Sequence, residues 1–284
     1  MTSDVVVSRR PPSYGGGVAH TSVGPLLKGW RTRRHRSQLD LALDVGVSCR
    51  HLSFVETGRS RPSPELVLAL AEHLDVPLRE RNQLLLAAGY APRYGERALD
   101  DPSMAAARTS IRRVLDAHLP YPGVVIDRRW DVVMANSAAT ALVADLPPEL
   151  LAPSMNVYRF SLHPAGLWAR STNPEEWGAY LVWQLERSLM LTADAGLQAL
   201  HDEVTAYPNV ASLKRRGRAS LEEAPIVVPF RFPTPDGGEL SMFTTLTTFG
   251  TPRDITLDEL AVELFYPADD ASDALLRGTA VASA

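Results

Sequence analysis

Apolar residues fall at helical spacing along the first third of the chain. Leu26, Leu27 and Trp30 form a stripe that predicts an amphipathic helix ending near Arg34. Ser37 is placed to cap a second helix in which Leu41, Ala42 and Val45 share one side. Gly46 stops that helix, because glycine takes the left-handed conformation past a helix end without steric cost. Ser48 opens a third helix, with Leu52 and Val55 turned inward, and Gly58 closes it. Ser63 opens a fourth, with Leu66, Leu70 and Leu74 at i+4 spacing. Pro77 opens a fifth, which runs through 84–88 and stops at Gly89. Five short, capped helices in succession predict an all-α domain.

The pattern then changes. Residues 89–101 read as a linker, and a helix is expected over 103–118, broken by Pro120-Tyr121-Pro122-Gly123. From there the period is two: 124–127 and 130–135 predict short strands, followed by a helix over 137–145 capped by Asn136. The stretch 156–200 is mostly helical and gathers Trp168, Trp177, Tyr180 and Trp183. Further strands are expected over 226–232 and 240–249, joined by a turn at Asp236-Gly237-Gly238. Residues 257–266 fit two readings, a helix with Thr256 and Glu259 as capping box or a strand in which Leu260, Val262, Leu264 and Tyr266 alternate; a final strand is favoured. Strands with helices on one face make an α+β domain. The expected layout is a disordered arm over 1–22, an all-α domain over 23–92, a linker over 93–103, an α+β domain over 104–277 and a tail over 278–284.

Charge sharpens the division. Residues 1–98 carry 14 Lys/Arg against 9 Asp/Glu, a net +5, whereas residues 99–284 carry 15 against 24, a net −9. A basic first part joined to an acidic second part points to nucleic acid at one end and a different partner at the other. The single cysteine, Cys49, excludes an internal disulfide and fits a reducing compartment. No apolar run reaches the ~18 residues of a membrane span, and the first residues lack the order of a signal peptide, so a cytoplasmic protein without membrane contact is expected.

Within the all-α part, Gln38 opens the second helix, Leu41-Ala42 lie in its buried face, Gly46-Val47-Ser48 make the turn, and Glu56-x-Gly58-Arg59 is followed by Pro62-Ser63. This segment resembles the lambda-repressor-like helix-turn-helix regulators of the xenobiotic-response-element type. Ala42 is small enough for two helices to cross closely, and the third helix then presents its N-terminal residues to the major groove. Its exposed positions are Cys49, Arg50, His51, Ser53 and Phe54. Arg50 is the candidate for direct readout, because a guanidinium donates two hydrogen bonds to guanine O6 and N7. Phe54 is placed to meet a thymine methyl. The resemblance implies Gln38 and Ser48 on phosphates, with Arg59 and Arg61 adding charge to backbone contact. It also implies an ion pair between Arg31 and Glu56 that fixes the angle between their helices. Cys49 reads as a small surface residue, and His51 alone makes no metal site.

The resemblance continues through 77–92 and through Tyr121-Pro122, Asp127-x-x-Trp130, Asn136, His163-Pro164 and the segment 264–269. These residues are similar to the MmyB-like subfamily, whose PAS-like ligand-binding domain follows the helix-turn-helix. The implied function is a regulator that binds a double-stranded DNA operator as a homodimer and senses a small apolar ligand such as a fatty acid. Trp130, Met134 and Phe232 are the expected ligand-binding residues, on strands whose inner faces are bulky. The alternative is a second domain that serves only docking or dimerisation. No nucleophile elbow, phosphate-cradling loop, metal-ligand spacing or cofactor signature is present, so neither catalysis nor a cofactor is expected.

Overall fold

The computed structural model describes residues 22–192, 194–216, 228–234 and 237–282. The expected arm, the first residues of the strand expected from Ile226 and the turn residue Asp236 lie outside the described residues. The chain forms two compact units. Of the described residues, one unit holds 22–98 together with Gly250–Asp258, and the other holds those within 99–249 and 259–282.

The first unit contains helices α1 (Val23–Arg33), α2 (Gln38–Val45), α3 (Cys49–Glu56), α4 (Pro64–His73) and α5 (Leu78–Ala87). Ser37, Ser48 and Ser63 each accept a hydrogen bond from a first-turn N–H, those of Asp40, His51 and Leu66. Each serine thereby satisfies one of the four N–H groups a helix leaves unpaired at its start. Gly46 ends α2 at φ 74° with open space around it, so its backbone angle and not crowding calls for glycine. Gly24 has the opposite reason: a Cβ there would stand 2.5 Å from the carbonyl oxygens of Val55 and Glu56, where α1 passes the end of α3. The core closes around Leu27, Trp30, Leu41, Ala42, Leu52 and Leu70, and α4 buries Val67, Leu70 and Ala71, a face turned slightly from the expected Leu66–Leu70–Leu74 row.

The second unit is α+β, the fold class expected of a PAS-like domain. It contains α6 (Ala105–Ala117), β1 (Gly123–Ile126), β2 (Val132–Ala135), α7 (Ser137–Val143), α8 (Pro148–Leu151), α9 (Val157–Leu162), α10 (Pro174–Thr192), α11 (Ala195–Thr205) and α12 (Pro208–Arg216). Strands β3 (Phe230–Pro233), β4 (Glu239–Thr248) and β5 (Ala261–Pro267) follow, and α14 (Asp270–Ala282) is the last described element; α13 (Ile255–Asp258), between β4 and β5 in sequence, belongs to the first unit. The five strands form one antiparallel sheet in the order β2-β1-β5-β4-β3. All four residues of β1 are buried, so the sheet is covered on both faces there.

Three expectations change. The ambiguous segment 257–266 is both helix and strand, since α13 ends at Asp258 and β5 begins at Ala261. Part of the expected tail is helical, because α14 runs from Asp270 to Ala282; the Asp269 carboxylate just before it accepts from the Ser272 N–H. The expected linker is tied down: buried Asn82 accepts from the Arg93 and Tyr94 N–H groups and donates to the Tyr94 carbonyl.

Candidate functional site

Two sites stand out, one in each unit. In the first, α3 has Leu52, Val55 and Glu56 buried, which turns its remaining face outward. Arg50 and Arg59 are exposed, and their guanidinium carbons lie 5.3 Å and 5.8 Å from the centroid of the Phe54 ring. The ring thus holds two cations at one end of the face by cation–π attraction. His51, Ser53 and Phe54 are half-buried beside them, and Cys49 is half-buried against the core.

Glu56 lies beneath this face. Arg31 Nε donates to Oε1 at 2.6 Å, a second Arg31 nitrogen to Oε2 at 2.9 Å, and Gln38 Nε2 to Oε2 at 2.7 Å. The Glu56 side chain is 1% exposed and that of Arg31 10%, so this is a buried, bidentate pair. The hydrogen bond from Arg31 to Glu56 is the main cause raising the Arg31 pKa above its ordinary value, against the opposing effect of burial.

The expected phosphate-holding residues divide. Ser48 caps α3 and keeps its hydroxyl proton free to donate. Gln38 is engaged with Glu56, but an amide has two N–H donors and one remains. Arg59 is exposed and free of ion pairs among the described residues. Arg61 is used otherwise: it donates to the carbonyls of Ala88 and Gly89 at the end of α5 and lies over the Tyr90 ring. A cation at a helix C-terminus meets the carbonyls left unpaired there, which is a structural task.

The second site is a small, partly open cavity of about 50 Å³ within the α+β unit. Sheet register explains its floor. Ala135 pairs with Val124, and Val124 with Glu263, so these three side chains make a row across β2, β1 and β5 on the cavity face. The other walls include Val143 of α7, Phe160 of α9 and Trp177 of α10. Apart from Glu263 and Thr140 the lining side chains are apolar, and none carries a positive charge.

None of the three expected ligand residues lies on this wall. Met134 pairs with Val125, one step out of phase with the Ala135–Val124 row, and so faces the other side of the sheet. Trp130 stands at φ 64° in the β1–β2 turn with its ring edge-on to Tyr158. The Asp127-x-x-Trp130 motif is that turn, since the Asp127 carboxylate accepts from the Arg129 and Asp131 N–H groups. Phe232 packs against Phe230, which does line the cavity, at 3.9 Å between centroids.

Glu263 was not anticipated, although an acid within Val262-Glu263-Leu264-Phe265 was the available signal. Its side chain is buried, its Oε2 has no hydrogen-bond partner among the described residues, and burial pushes its pKa up to about 7 against the opposing hydrogen bond from Thr244. The Tyr158 hydroxyl is also buried without a partner. Burial first, and then the charge of Glu263, raise the pKa of Tyr158 well above the ordinary phenol range, and the same causes raise that of Tyr180. Among the described residues no cluster of three or more His, Cys, Asp or Glu side chains could hold a metal, and no helix is long and apolar enough to cross a membrane.

A basic helix-turn-helix face and an apolar cavity define a DNA-binding regulator with a ligand-binding domain. The family comparisons agree. Residues 107–278 match the MmyB-like transcription regulator ligand binding domain and residues 27–81 match a helix-turn-helix family, and the chain belongs to the MmyB-like regulators. None of the curated proteins matches. Among solved structures, the chain is similar to an RNA-binding light-oxygen-voltage receptor at 13% identity, over 97% of this chain and 70% of that one, with a TM-score of 0.26.

Proposed function

We propose that the protein binds a two-fold symmetric operator as a homodimer and adjusts its operator affinity when a small, largely apolar molecule occupies the cavity. The observation that carries this reading is the cavity itself, an apolar chamber in a protein whose other unit presents a helix-turn-helix. Arg50 reads a base edge, Phe54 meets a thymine methyl, and Cys49, His51 and Ser53 sit at the groove. Ser48, Arg59 and the remaining Gln38 N–H hold phosphates. On the family resemblance alone the ligand would be a fatty acid, whose carbon chain the apolar wall would take. The means of coupling is covalent: the chain leaves the sheet after β4, contributes Gly250–Asp258 to the DNA-binding unit, and returns as β5, the strand that carries Glu263.

A docking role for the second unit keeps one foothold, the exposed Trp183 and Met190 of α10. Selection from a random DNA library tests the operator reading. Enriched sequences are expected to be two-fold symmetric, with half-site centres ~34 Å apart or a multiple of that. Enrichment without symmetry would remove the dimer, and no enrichment would remove sequence-specific binding.

A further inference from the structure

Among the described residues the cavity presents one acid and no counter-charge. Glu263 stands at its floor with Oε2 unpartnered among the described residues, and the described lining holds no Arg, Lys or His. We propose that the ligand is an apolar molecule with a single basic nitrogen, seated so that its N–H donates to Glu263. The inference deepens the reading of this cavity as the ligand site and depends on it.

The argument is one of complementarity. A buried polar atom without a partner is costly, and a buried carboxylate more so, unless a donor or an opposite charge meets it. Thr244 of β4 donates to the carboxyl, leaving Oε2 open. The charge of Glu263 acts on Tyr158 of α9 and Tyr180 of α10, whose pKa values are raised by burial first and by this charge second, so both stay uncharged at neutral pH. An ammonium supplies both the missing donor and the missing charge, and the apolar wall takes the carbon frame. A carboxylate head entering to the same depth would find no cation among the described lining residues, and only the protonated form of Glu263 could donate to it.

The proton balance gives a signature. Near neutral pH Glu263 holds its proton in a substantial fraction of empty molecules, because burial raises its pKa to about 7. When an ammonium binds, the ionised carboxylate is favoured, and that fraction of protons passes to the buffer.

Calorimetry on the full chain with hexylamine, hexanol and hexanoate tests this, in two buffers of different ionisation enthalpy. Hexylamine is expected to bind about 10-fold to 100-fold more tightly than hexanoate, with hexanol between them, the span of one charge-assisted hydrogen bond. Its binding should release protons at pH 7, and fewer at pH 8. In Glu263→Gln, checked for folding by thermal melting, the amine's advantage over hexanol should disappear. Hexanoate binding as tightly as hexylamine, or an unchanged amine preference in Glu263→Gln, overturns the basic head group and leaves the cavity as a ligand site. Failure of all three compounds to bind rejects the ligand site, and this inference with it.

Discussion

Glu56 is held by three N–H groups from two other elements, and its side chain is almost wholly out of water. Removing it strands the Arg31 guanidinium, so Glu56→Ala should cost about 3–5 kcal/mol in urea denaturation, as breaking one side of a buried pair does. A loss below ~1 kcal/mol would mean that water screens the pair as it screens surface bridges. The pair was legible because both residues sit in a recognisable motif. The third donor, Gln38, was not, because sequence spacing does not say which of two acceptors a side-chain amide meets first. Glu263 illustrates the opposite case, a functional candidate that alternation concealed. Its pKa rises from 4.5 in the free residue to about 7 in the fold. Between those values the folded protein keeps a proton that the unfolded chain gives up, so stability should fall as pH rises through that window and level off above it. The fall attributable to this group is on the order of 3 kcal/mol. Glu263→Gln should flatten that part of the stability–pH curve, and an unaltered curve would show that Glu263 titrates normally.

At the scale of elements, the helices were read well because their ends carry local chemistry. Ser37, Ser48, Ser63 and Asn136 each cap the helix assigned to them, and a cap depends on residues only three apart. The strands were located but their faces were not. β1 is buried on both sides, so period two marks a strand without telling which side holds the cavity. Contacts from distant sequence were illegible altogether. Helix α5 follows Pro77, which has no side-chain cap to offer, and Asp258 supplies one from far along the chain by accepting from the Leu78 N–H at 3.0 Å. Asp258→Ala should therefore cost about 1 kcal/mol, the usual loss of a helix cap, and should weaken the effect of ligand on operator binding. Full coupling in that variant would remove α13 from the route. On α3, Arg50→Ala should cost on the order of 1–3 kcal/mol on the operator and relax selection at one base pair. Arg59→Ala should weaken operator and random DNA alike and make the salt dependence shallower. Equal losses on both kinds of DNA for Arg50→Ala would end its base-reading role.

At the scale of the molecule, the charge asymmetry was the first sign of two tasks: +5 over residues 1–98 and −9 over 99–284. The structure adds that the division is not a single cut, because Gly250–Asp258 joins the DNA-binding unit from within the second half of the sequence. A ligand can shift operator affinity only by as much as it binds two arrangements of the protein differently. The most direct measurement is therefore operator affinity of protein first stripped of any bound small molecule, at fixed salt, with and without a saturating concentration of a ligand shown by calorimetry to occupy the cavity. A change of about 5-fold to 150-fold, in either direction, is expected of a coupled regulator. Operator affinity that stays the same while the cavity is filled would contradict ligand control of DNA binding.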